Sequence, residues 1–373
     1  MINYLGGDDL KNVFYNKAEQ EIEPREYASQ VGLQGMVMGE LGEKVNISNE
    51  NLYNLYVTIL SLLLGIILTT IIYWIYTEFN VISALLTFIV CLFSPYLNAF
   101  GNNLYWVEFT WFLPMTSMIL LLSYFDRNNI KYNNLMVGLV TFITVLIKVL
   151  NGNEYITTIG ISLIVPLVYY AIKNVWKFKE FFVRALNVTI CAIISFFTGI
   201  GLWLIQLKSY YGVNEAIRIA KETIIKRIGT KGEALASVMV DSANGDLLEA
   251  LSESMTSNVF EVIKTYLKSP IFPFMNSKTL IYIFAVFFVI SLMLSLIIIK
   301  KKIKLENYRK ILAINVATAF SILAPLSWYV LAKGHSYIHI HMNHVLWILP
   351  FALLVPVAII QTIICFCKVI KEV

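Results

Sequence analysis

The sequence predicts an all-α fold: a polytopic membrane helical bundle of about nine spanning helices, with short amphipathic helices in the loops of its outer side. Three observations predict it. Hydrophobic residues make up 58% of the 373 residues, charged residues only 14%, and mean hydropathy is +0.70; a water-soluble domain carries about 25% charged residues because its surface must be wetted. The apolar residues form blocks of about 18 to 25, long enough to cross a ~30 Å hydrocarbon core, where a soluble helix would show a one-sided stripe. Lys and Arg concentrate in alternate short loops, the pattern that orients membrane chains.

Taken in order, the first element is the polar segment 1–51, which carries Asp8, Asp9, Glu19, Glu21, Glu23, Glu26, Glu40, Glu43 and Glu50 against four basic residues. Residues 52–373 form one membrane domain, with spans expected near 52–76, 81–94, 107–125, 135–150, 155–172, 181–207, 279–299, 311–331 and 345–364. No internal repeat or Pro/Gly-rich linker divides it. One set of loops holds Arg127 and Lys131, then Lys173, Lys177, Lys179 and Arg184, then the run from Lys300 to Lys310, and last Lys368 and Lys371. The opposite short loops, 95–106, 151–154 and 332–344, hold only Lys333. The first set is therefore expected in the cytoplasm, with the C-terminus; the N-terminal segment and the long loop 208–278 are expected outside. No apolar stretch within 1–51 would export it, so an upstream helix is expected; plain insertion of a short outward tail is the alternative.

The loop 208–278 is more than a linker. From Asn214 to Arg227, Ile217, Ile219, Ala220, Ile224 and Ile225 gather mainly on one side, as in a helix lying on a bilayer surface or packed on the bundle. A second amphipathic piece is expected over 247–259. Cys91 and Cys191 lie in apolar segments and Cys365 and Cys367 end the last span, an arrangement that does not read as a disulfide framework. The basic residues sit in short runs between apolar blocks, which excludes a nucleic-acid-binding face.

Ionisable groups in or beside spans are costly and so mark candidate function. Glu108 lies one residue into the third span, Lys148 near the outer end of the fourth and Glu154 at the start of the fifth; Lys333 and His335 follow the eighth. No comparable cluster is expected in the inner half. Lys148 either meets substrate or extends to the interface and pairs with Glu154. All four histidines fall between Lys333 and His344, namely His335, His339, His341 and His344. Beside Lys333 they suit phosphate binding, proton donation, a divalent metal or interfacial packing, and spacing does not choose among these. The sequence requires no cofactor. Gly6-Gly7-Asp8-Asp9 offers exposed carboxylates for a general base, or a hydrated acidic loop.

Four stretches together resemble a family. They are Arg25-Glu-Tyr-Ala-Ser-Gln-Val-Gly-Leu-Gln-Gly35, Phe100-Gly-Asn-Asn-Leu-Tyr-Trp-Val-Glu-Phe-Thr-Trp-Phe-Leu-Pro114, Asn151-Gly-Asn-Glu-Tyr-Ile156 and Ala332-Lys-Gly-His-Ser-Tyr-Ile-His-Ile-His341. They look like the multi-span proteins of bacterial envelope-polysaccharide loci, which are in turn similar to GT-C type membrane glycosyltransferases. The resemblance implies a bacterial cytoplasmic membrane protein that moves a sugar from a polyprenyl-phosphate donor to a glycan or lipid acceptor, among membrane lipids and without nucleic acid. It implies Asp9, with Asp8 as substitute, as the base that deprotonates the acceptor. Lys333 and His335 would take the phosphate, with His339 and His341 beside them. Arg25 and Glu154 would orient substrate, with Glu108 and Lys148 lining its site. Two rivals share the same features: a polysaccharide polymerase or ligase, and a non-enzymatic flippase or transporter of lipid-linked saccharide.

Overall fold

The computed structural model of the chain describes residues 2–4, 25–228, 258–301, 303, 308–333, 336 and 343–372. These form an all-α membrane bundle. Two short antiparallel ribbons accompany it: β1 (Ile2–Tyr4) with β2 (Arg25–Tyr27), and β3 (Pro270–Phe272) with β4 (Met275–Asn276). The helices are α1 (Leu33–Lys44), α2 (Asn49–Glu78), α3 (Val81–Leu92), α4 (Pro95–Gly101), α5 (Phe109–Arg127), α6 (Asn134–Leu150), α7 (Ile156–Lys173), α8 (Phe178–Tyr211), α9 (Val213–Ile228), α10 (Val259–Lys268), α11 (Ser277–Lys301), α12 (Tyr308–Ser321), α13 (Leu323–Leu331), α14 (Asn343–Trp347) and α15 (Leu353–Glu372). Their starts are written locally. Ser48, Asn80, Ser94 and Asn133 each accept a hydrogen bond from the backbone N–H three residues on, satisfying a donor that the first helical turn leaves open.

All nine expected segments are helical. Among the described residues seven are long and apolar enough to span: α2, α5, α7, α8, α11, the pair 308–331 and the run 345–372. The other two differ from a simple rod. The segment expected at 81–94 is a pair, α3 and α4, bent by 66°. It runs back along the C-terminal half of α2: α3 starts beside Glu78, and just beyond α4 the Ser61 hydroxyl donates to Asn102 at 2.6 Å, while Leu104 and Val107 pack on Tyr56 and Leu60. Helix α6 has 17 residues, about 25 Å at 1.5 Å per residue, slightly short of a ~30 Å core. It returns fully, because the turn after Leu150 brings Tyr155 against Trp111 near the start of α5, at 5.3 Å between ring centroids.

Helices α2, α8 and α11 are peripheral and present Leu62, Ile66, Phe197, Ile205, Leu296 and Ile299 outward, the faces that lipid covers. The last run, 345–372, is the most enclosed. Between helices the contacts are close and polar groups clamp them. A Cβ on Gly199 would overlap Val149, and one on Gly138 would stand 3.0 Å from the Cys191 sulfur, so glycines set the approach of α6 and α8. Ser162 donates to the carbonyl of Leu349 at 3.0 Å and Thr158 to that of Ala324 at 3.0 Å. Leu349 is the non-helical break before Pro350, where a bare carbonyl would be costly. Gln361 reaches Ser83 at 2.9 Å and Asn315 reaches Thr362 at 3.1 Å. All four cysteines are free.

The amphipathic stretch 214–227 is the helix α9, as expected. It packs Ala216 and Ala220 against Trp203 and Leu207 of α8 and leaves Ile217 half exposed. The second expected piece, 247–259, lies almost wholly outside the described residues, and an amphipathic helix follows it directly as α10.

Candidate functional site

One pole of the bundle is built around the turn Asn151–Tyr155. Asn151 ends α6, its side-chain amide donating to the carbonyl of Ile147 at 2.7 Å. Gly152 follows at φ 136° and Tyr155 enters α7 at φ 61°. Gly152 is needed here twice over. Its dihedral is one that L side chains rarely adopt. A Cβ would also overlap the Glu154 carboxylate and come within 2.7 Å of Gln30 Oε1. The buried ammonium of Lys148 donates to the Gly152 carbonyl at 2.7 Å. Lys148, Glu154 and Gln30 therefore all converge on one glycine.

Gln30 reaches this turn because α8 holds the segment before α1. Trp203 Nε1 donates to Ala28 O at 2.8 Å and Gln206 Nε2 to Val31 O at 3.2 Å; Gln34 Nε2 then donates to Tyr105 O at 3.0 Å. The Gln30 amide is buried, and neither its oxygen nor its nitrogen has a hydrogen-bond partner among the described residues. Two unmet polar atoms in such a place cost about 1–3 kcal/mol each, which is tolerated most readily where a ligand supplies the partner.

Aromatic rings join the remaining pieces. Trp111 meets Tyr155 edge-on at 5.3 Å, Tyr155 meets Trp328 at 5.1 Å, and Trp106 meets Trp111 at 6.2 Å. Beyond Trp328 the chain turns through Ala332 and the half-buried Lys333 to Ser336, whose carbonyl accepts from the Tyr266 hydroxyl of α10. Burial pushes the Tyr266 phenol above its ordinary range, so it stays a donor. Glu108 sits just before α5, buried, with one carboxylate oxygen lacking a hydrogen-bond partner among the described residues. The residue before it, Val107, is held at φ 46°. A β-branched residue seldom adopts that conformation, and such strain gathers at functional sites.

Glu108, Lys148, Glu154 and Lys333 lie at or beside this pole. Arg25 is described only through its backbone, paired with Tyr4 in the first ribbon. Asp8, Asp9, His335, His339 and His341 lie outside the described residues. Among the described residues no three His, Cys, Asp or Glu side chains are grouped to hold a metal ion. Sequence reasoning missed Gln30, Gly152, Trp111, Tyr155 and Trp328 as members of the pole. The available signal was that Gln30, Trp111, Gly152 and Tyr155 fall inside stretches that carry the resemblance.

The expectation that no comparable cluster lines the inner half is corrected. At that pole Lys173 of α7 bridges two carboxylates, 2.6 Å from Glu78 and 2.7 Å from Asp126. Tyr169 donates to Glu78 at 2.8 Å, Asn174 to Asp126 at 2.7 Å, and Lys310 stands 3.8 Å from Glu78. Each carboxylate falls at the edge of its own apolar block, and only packing brings the ends of α2, α5, α7 and α12 together.

The chain matches no family model, no curated protein and no solved structure.

Proposed function

We propose that this chain is a membrane glycosyltransferase of GT-C type. It takes a sugar from a polyprenyl-phosphate donor and transfers it to an envelope glycan or lipid acceptor at the Gly152 pole. One observation supports the reading above others: three of the four stretches that carry the family resemblance, 25–35, 100–114 and 151–156, gather at a single pole of the bundle through Gln30 at Gly152, Gln34 at Tyr105 and Trp111 at Tyr155, and Tyr155 in turn meets Trp328, four residues before the fourth stretch. The lysine distribution supports the companion reading that this pole faces outward from a bacterial cytoplasmic membrane.

The reaction balances simply. The acceptor hydroxyl loses its proton to Asp9, with Asp8 as substitute, and its oxygen bonds the anomeric carbon. The bond from that carbon to the phosphate oxygen breaks, and polyprenyl phosphate leaves. Base assistance of this kind is worth roughly 10²–10⁴-fold. Lys333 and His335, with His339 and His341 near them in sequence, steady the departing phosphate, an effect strongest where water is scarce. Glu154 and Arg25 orient the sugar. Gln30 adds an amide donor and acceptor to them, and Lys148 holds the turn on which Glu154 rides. Glu108 supplies a further buried carboxylate at the same pole.

The test is transfer from a panel of labelled polyprenyl-phosphate sugars by membranes carrying the full chain. Transfer that disappears in Asp9→Ala and falls at least tenfold in Glu154→Gln is the expected result. Absence of transfer from every donor, or unimpaired transfer in both Asp8→Ala and Asp9→Ala, sinks the reading. The Glu78–Lys173–Asp126 network gives the flippase reading its support, because it puts a second polar centre at the other end of the bundle. Movement of labelled lipid-linked saccharide between leaflets of vesicles, without transfer, would favour that alternative.

A further inference from the structure

A second site lies at the opposite pole, between the ends of α5 and α7 and the start of α8. A cavity of about 440 Å³ opens there, with Leu122, Phe125 and Ile130 as apolar lining and Lys131, Asp126 and Arg184 as its charged groups. Arg184, in the second turn of α8, holds its guanidinium 3.9 Å from the Trp176 ring centroid and 4.4 Å from that of Tyr132. Cation–π contact with the two rings holds the group in place and leaves its N–H donors for an anion. No carboxylate pairs with Arg184 among the described residues. Asp126 is the acidic group of the lining, and Lys173 and Asn174 already engage it, each at 2.7 Å. The net charge left facing the cavity is therefore positive. Val175, at φ 52°, lies between Asn174 and Trp176 in the linker that brings the indole under the guanidinium.

We propose that this cavity binds a phosphate-bearing anion, drawn from the bilayer as the headgroup of an anionic phospholipid. Arg184 grips the phosphate through its planar edge, Lys131 adds a second charge, and the apolar lining takes the glycerol and upper acyl carbons. The position suits a lipid: basic pockets between span ends are where acidic headgroups dock, and Tyr132 and Trp176 are residues of the kind that settle at the interface. A free phosphate offers the same oxygens without the apolar portion.

The experiment uses the full chain in detergent, with native mass spectrometry of bound phosphatidylglycerol against phosphatidylcholine and inorganic phosphate as competitor. Wild-type protein is expected to retain phosphatidylglycerol preferentially. Arg184→Gln is expected to reduce that retention roughly five- to tenfold and Lys131→Gln a few-fold, at about 1 kcal/mol per basic residue near an acidic headgroup. Displacement by millimolar inorganic phosphate would reject the lipid as source while keeping the phosphate chemistry. Unchanged preference in a folded Arg184→Gln protein overturns the proposal. Should Arg184→Gln fail to fold, Lys131→Gln decides, since that side chain is exposed and outside the packing: loss of preference supports the site and no change removes it.

Discussion

The Lys148 ammonium lies 2.7 Å from the carbonyl oxygen of Gly152 and donates to it, so a buried lysine ties the end of α6 to the turn that follows. An ammonium in a membrane span is costly unless its donors are met. Replacing Lys148 with Met keeps the bulk and removes the tie. We expect Lys148→Met to lose about 1–3 kcal/mol, read as a lower unfolding temperature in detergent together with weaker transfer. An unchanged unfolding temperature with lost transfer would instead make Lys148 a group that touches substrate.

Gly152→Ala tests the same turn from the backbone side. The added methyl meets the Glu154 carboxylate and the Gln30 oxygen, and φ of 136° disfavours any L side chain. We expect transfer to fall at least tenfold while the bundle still inserts, because a misplaced positioning group commonly costs about 10²-fold. Alanine at this position with normal activity would show that the Glu154 turn does not need its observed geometry.

At the other pole, Lys173 separates two carboxylates that would otherwise face one another. Lys173→Met should cost about 3–5 kcal/mol, the range for stripping one partner from a buried ion pair, with Lys310 at 3.8 Å from Glu78 offsetting part of it. Lys173→Met combined with Glu78→Gln should recover stability. A double-mutant cycle of unfolding temperatures measures this, and strict additivity would mean that the pair is not coupled.

The glycine contact between α6 and α8 gives a packing prediction. Gly199→Ala places a methyl on Val149, whose branched side chain has little room to turn. Overpacking of this sort costs about 1–3 kcal/mol. Gly199→Ala should lower the unfolding temperature, and Val149→Ala in the same chain should restore much of it. Gly201→Ala is the control, since nothing lies near its added methyl.

Much of the fold was legible in the sequence. Whether a segment is buried in lipid depends on its own length and polarity, which are written contiguously. The helix starts at Asn80, Ser94 and Asn133 are local as well, each set by one side chain and an N–H three residues away. The bend between α3 and α4 was partly visible, because Ser94-Pro95 stops one helix and starts another, yet only the tertiary structure shows that Asn102, just beyond the pair, seats on Ser61 of α2.

Taken alone, the amino-acid sequence determined the membrane class and the nine helical segments, since hydropathy is a property of each stretch by itself. Tertiary structure alone decided the partnerships. Gln30 reads as an ordinary polar residue until α8 straps its segment against Gly152, and Glu78 reads as the end of a span until Lys173, 95 residues later, arrives beside it. Such contacts depend on how helix faces are rotated and how closely they approach, and apolar blocks of nearly uniform composition carry little record of either.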